Sequence, residues 1–160
     1  MGVFVLVLAA IIILPGKICP IEKTDVICNE IMLQDYKNYF GCDLPENSKT
    51  ASVFKDPQKY LIIAYSVNIR NNNFRTLFIE DYSLSIPKYD IVYFKNGMDF
   101  YSQYEYTPNE EGRIFGQAII YTGDNDKKKV LDEVNKSMKI NMWYWVHLNN
   151  YVSVLAFSKI

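Results

Sequence analysis

From about residue 60 onward the chain alternates between apolar and polar positions with a period of two, the mark of strands with one buried face. Tyr60–Ile69 (YLIIAYSVNI) is a strongly apolar first strand. Asn71-Asn72-Asn73 reads as a turn. In Thr76–Ile86 beyond it, Tyr82, Leu84 and Ile86 alternate with Ser83 and Ser85 until Pro87 ends the strand. Tyr89–Phe94 (YDIVYF) follows, and Asn96-Gly97 is the strongest short hairpin signal in the chain. After that turn Met98, Phe100, Ser102, Tyr104 and Tyr106 share one face, and Asp99, Tyr101, Gln103 and Glu105 share the other. Pro108–Gly112 makes the next connection to a strand over Arg113–Tyr121. One face of that strand (Ile114, Gly116, Ala118, Ile120) includes small residues that admit a close neighbour. Met142–Leu148 (MWYWVHL), a turn at Asn149-Asn150 and Tyr151–Phe157 (YVSVLAF) bring the strand candidates to seven.

Two helical patterns interrupt the strands. Asp126 is placed to N-cap Lys127–Met138, where Val130, Leu131, Val134 and Met138 recur at helical spacing. A second helix is expected through Asn29–Phe40, ended by Gly41. The expected architecture is mostly β: an antiparallel meander or β-barrel with one or two short helices, with a β-sandwich or an α+β fold as alternatives.

The N-terminus follows different rules. Gly2–Leu14 is thirteen residues without a charge, followed by Pro15 and Gly16. A membrane span needs about 20 apolar residues, so the run suits the core of a signal peptide, residues 1–19, rather than a stable anchor. Cleavage after Gly16 or after Cys19 fits the pattern; the alternative is a buried N-terminal strand or helix. The remainder, residues 20–160, is the length of one domain with its own core, expected in the extracellular space.

Charge excludes one class of partner. The formal net charge is −1, and a near-neutral surface argues against nucleic acid. Lys127-Lys128-Lys129 is the one basic run and reads as a solvated helix start. If cleavage removes Cys19, the two remaining cysteines, Cys28 and Cys42, form the natural disulfide. Closing that loop of about 15 residues would contribute about 3 kcal/mol in the chain-entropy picture. Cleavage before Cys19 leaves one thiol over.

No catalytic constellation is visible. His147 is the single histidine and lies inside a strand, with no nucleophile beside it in an elbow. Glu80-Asp81 and Glu110-Glu111 are adjacent acids, and neighbours in a strand point to opposite faces. The sequence has no glycine-rich phosphate loop, no metal-ligand spacing and no cofactor motif. The aromatic residues carry the functional interest. Phe100, Tyr104 and Tyr106 fall on one strand face, and Trp143 and Trp145 on a face of another. In an open barrel such stripes line a ligand pocket; in a sandwich or closed barrel they are core. Asn135-Lys136-Ser137 is the one glycosylation sequon.

Two segments carry a family likeness. Asp35-Tyr36-Lys37-Asn38-Tyr39-Phe40-Gly41 is similar to the stretch that leads lipocalins into their first strand. Residues 145–157 (WVHLNNYVSVLAF) look like the later strand–turn–strand signature, with Asn150-Tyr151 in place. The chain thus resembles a lipocalin, especially the divergent secreted kind of blood-feeding arthropods. Cys42 stands after Gly41 where family members usually carry tryptophan. The resemblance implies a β-barrel holding a small hydrophobic ligand, or a surface that blocks a host protein. Phe100, Tyr104, Tyr106, Trp143 and Trp145 are the expected ligand-binding residues from alternation alone. The leading expectation is therefore a secreted carrier of a small apolar ligand. Its rival is a secreted interaction protein with a closed core that binds a partner protein through its surface.

Overall fold

In the computed structural model, which describes residues 21–97, 104–149 and 152–160, two four-stranded antiparallel sheets enclose a shared core. Strands β1 (Ile21–Glu30), β2 (Tyr60–Asn71), β6 (Glu111–Tyr121) and β4 (Ile91–Asn96) lie side by side in that order. The second sheet runs β5 (Tyr104–Tyr106), β3 (Leu77–Ser85), β7 (Lys139–Asn149) and β8 (Val152–Lys159). Period-two alternation decides which residues meet. Leu61, Ile63, Tyr65, Val67 and Ile69 of β2 face inward against Ile79, Tyr82, Ile140, Met142 and Tyr144 of the other sheet.

Three α-helices lie among the described residues. The short α1 (Tyr36–Phe40) and α2 (Ala51–Lys55) belong to the long connection between β1 and β2, and lie on the outer side of the first sheet. There Ile31, Tyr36, Leu44 and Val53 pack on Tyr60, Ile62 and Ile119 to make a second, smaller core. Helix α3 (Lys127–Ser137) links β6 to β7, and its Val130 and Val134 join the main core. The Asp126 side chain accepts from the Lys128 and Lys129 N–H groups, as the sequence predicts.

Several features were not visible in the pattern. β1 carries an irregular run of charged and apolar residues (IEKTDVICNE), because as an edge strand only part of it meets the core. The expected helix over Asn29–Phe40 is shorter: β1 runs to Glu30, and helix begins at Leu33. The strand expected after Asn96-Gly97 lies mostly outside the described residues, and its described end does not pair with β4. β4 pairs with β6 and β5 pairs with β3, so the chain leaves one sheet for the other across residues 98–103. The expected barrel is likewise corrected: the two sheets remain separate and do not close. Among the described strands, β7 and β8 are consecutive and paired, as their hairpin reading requires.

The Cys28–Cys42 disulfide is not formed. Both are free thiols, Cys28 inside the main core and Cys42 against the smaller core, in the layer that covers the first sheet's outer side. Burial pushes the Cys28 thiol up to about 12. The signal-peptide reading falls on residues 1–19, outside the described residues.

Candidate functional site

Of the five expected ligand residues, Tyr106, Trp143 and Trp145 have described side chains. Tyr106 is buried in the main core. Tyr104 pairs with Ile79 in the strand register, and Phe100 lies outside the described residues. Trp143 and Trp145 alternate with the buried Met142, Tyr144 and Val146, so they stand on the outer face of the second sheet. Trp143 is 47% exposed. The burial of Tyr106 and the surface position of Trp143 both follow from one sheet having two faces.

The other chemical candidates take structural roles. Glu80 and Asp81 are both exposed, because a bulge between Ile79 and Asp81 breaks the alternation. Asp81 accepts from the Asn96 side chain. Glu110 accepts from the N–H and hydroxyl of Thr107, which holds its carboxyl below the usual range, while Glu111 pairs with Arg70. His147 lies on β7 opposite Ser153. Asn135 of the sequon is half-buried; its Oδ1 accepts from the Cys28 N–H at 2.8 Å and its Nδ2 donates to the Leu131 carbonyl at 3.2 Å. Among the described residues no three His, Cys, Asp or Glu side chains stand together as a metal site.

A different site emerges on the outer face of the first sheet. Strand register lays its residues out in rows across the strands. One row is Ile27, Ser66 and Phe115; the next is Asn29, Ala64, Gln117 and Lys95. Ala64 and Ser66, on the central strand β2, are small, and larger side chains flank them on β1 and β6. The result is a depression, an open trough of about 580 Å³ with Ala64 and Ser66 along its lining. Its volume falls within the range of small-ligand and side-chain pockets.

Helix α1 supplies one wall through Tyr39 and Phe40. Gly41, at φ 69°, ends the helix there, with its N–H on the Lys37 carbonyl. The Tyr36 hydroxyl ties the helix down by donating to Oε1 of the buried Gln117. Burial raises the Tyr36 phenol, so it stays a neutral donor. Three apolar lining residues remain open to solvent: Ile27 at 46%, Tyr39 at 56% and Phe115 at 47%. Polar groups converge on the same space, with Asn29, Ser66 and Gln117 beside the cations Lys95 and Arg113. The floor is braced from behind. Tyr82 of the second sheet crosses the core, donating to the Phe115 carbonyl and accepting from the Gly97 N–H at 3.1 Å.

The sequence held a signal for this site that its reading missed. Ala64, Ser66 and Asn68 interrupt an otherwise apolar β2 at every second position, which marks a face that is neither core nor fully solvated. No aromatic stripe advertises the trough, because Ile27, Tyr39 and Phe115 come from three separate elements.

No family model matches this chain, and no curated protein does. Among solved structures, a protein from Archaeoglobus fulgidus aligns over 87% of this chain and 96% of its own, at 8% identity and a TM-score of 0.33. So loose a superposition carries no argument.

Proposed function

We propose that this protein is a secreted, non-catalytic binding module that holds an extended segment of a partner protein on its outer surface, in the trough of the first sheet. One observation carries the reading: the space between the sheets is filled by side chains such as Tyr65, Tyr82, Tyr106 and Tyr144, whereas the trough keeps Ile27, Tyr39 and Phe115 exposed. Large side chains at these positions occupy space that a ligand carried between the sheets would need. An exposed apolar lining with polar groups at its border is the composition of a recognition surface. Secretion rests on the Gly2–Leu14 run, and a mature N-terminus at Lys17 or Pro20 in culture medium is its expected signature.

Selection from a displayed library of random peptides tests the site. Enriched peptides are expected to bind the wild-type chain and to lose at least about tenfold in affinity against Ser66→Arg, which fills the trough without touching the core. Peptides that bind both chains equally would overturn the reading. A fluorescent fatty-acid probe that binds wild type, and is displaced by Ser66→Arg while no peptide is enriched, would move the assignment to a small apolar ligand.

A further inference from the structure

The trough has a charge signature that names its occupant more closely, a refinement that rests on the surface-binding function proposed for the same site. Its described lining holds two cations, Lys95 and Arg113, and neither Asp nor Glu. The acid nearest Arg113 along β6, Glu111, stands two positions away on the same face and is paired with Arg70, while Asp25 lies two strands off in the row Asp25, Asn68, Arg113. The cations are positioned rather than loose. Arg113 Nε donates to Asn68 Oδ1 at 3.1 Å, and the Lys95 amine stands 3.9 Å from Cys42 Sγ at the α1 side.

Spacing turns these charges into a pattern. Arg113, Phe115 and Gln117 occupy alternate positions of β6 and so share its outer face, and Lys95 lies directly opposite Gln117. One cation therefore stands at each end of a run centred on Phe115. Four residues of extended chain span about 13 Å, and the period of two places residues i, i+2 and i+4 of such a chain on one face. A peptide lying along β6 presents side chains at the same interval as the strand beneath it.

We infer that the trough recognises an extended acidic–apolar–acidic segment of a partner protein, with two carboxylates four residues apart and an apolar side chain midway. The middle side chain enters between Ile27 and Phe115 over Ser66, and the carboxylates meet Lys95 and Arg113. Apolar contact contributes most of the affinity, and the flanking charges set specificity and encounter rate.

Three labelled peptides of one length test this against the full mature chain by fluorescence anisotropy: Glu-Ser-Phe-Ser-Glu, Gln-Ser-Phe-Ser-Gln and Lys-Ser-Phe-Ser-Lys cores. Exposed ion pairs are individually weak, so replacing both Glu by Gln should cost about threefold to tenfold. The Lys form should bind least, and the Glu preference should fade as salt rises. The chain carrying Lys95→Glu and Arg113→Glu should reverse the order, while Lys95→Arg keeps it. Equal binding of the Glu and Gln peptides, both blocked by Ser66→Arg, overturns the acidic preference and leaves the trough in place. Equal binding to wild type and Ser66→Arg overturns both. Failure of all three peptides to bind overturns the acidic motif, and the library selection then decides the trough alone.

Discussion

The Tyr106 ring lies where Gly112 would carry a side chain: a methyl group built on Gly112 would fall 1.6 Å from Tyr106 Cε1. Gly112 thus allows a strand of the first sheet to sit directly on an aromatic ring from the second. Replacing Gly112 by Ala forces the ring or the strand to move, and overpacking of this kind costs about 1–3 kcal/mol. Chemical denaturation should show that loss. Tyr106→Ala should then cost less in the Gly112→Ala background than in wild type. Additive losses would mean that the two residues do not share this space.

Asn135 closes the edge of β1. With Asn135→Ala the Cys28 N–H loses its partner, and a part-buried donor left unpaired costs about 1–3 kcal/mol. Amide hydrogen exchange at Cys28 should speed up, whereas Asn135→Asp keeps an acceptor and should preserve protection. Unchanged exchange in the Ala variant would show that water serves the edge equally well.

The two thiols should react unequally. In a chain beginning at Pro20, iodoacetamide is expected to modify Cys42 in the native state and Cys28 only after unfolding, because burial keeps the Cys28 thiol protonated. Non-reducing digestion followed by mass spectrometry checks the pairing at the same time. Recovery of a Cys28–Cys42 linked peptide would contradict the free-thiol arrangement.

Acid should loosen α3. Hydrogen bonds from Lys88, at 3.2 Å, and from the Tyr89 hydroxyl, at 3.0 Å, hold the Glu133 carboxyl below its ordinary value of 4.5. A depressed folded-state value means that the contribution is present above the unfolded value and is lost as pH falls through the folded one. Stability should decline below about pH 4.5, and Glu133→Gln should flatten that part of the profile. A profile identical to wild type would show that the contact is solvated to irrelevance.

Regular alternation made most strands legible. β2, β3, β6 and β7 were read from inward residues such as Ile63, Leu84, Ile120 and Tyr144, and α3 from its Asp126 cap and the Val130–Val134 spacing. What the pattern did not contain was the partner of each strand. Asn96-Gly97 is strong turn chemistry, but a local signal does not reveal that β4 pairs with β6 and the described end of the next strand with β3. The trough was illegible for a related reason: it exists only once register sets Ile27, Ser66 and Phe115 in one row. The tryptophan stripe is legible as a stripe, but periodicity does not say which side of a sheet is outside.

β2 is a shared wall, and its two functions are sorted by parity. Positions 61, 63, 65, 67 and 69 build the interior, and 64, 66 and 68 face the trough side. A slip of one residue in its pairing would exchange the two sets, presenting Tyr65 and Val67 to the trough and Ala64 and Ser66 to the core. The proposed recognition and the folding are therefore interlocked along this strand. A saturation scan across positions 63–69 of β2 should read as a comb, with odd teeth registering in stability and even teeth in binding.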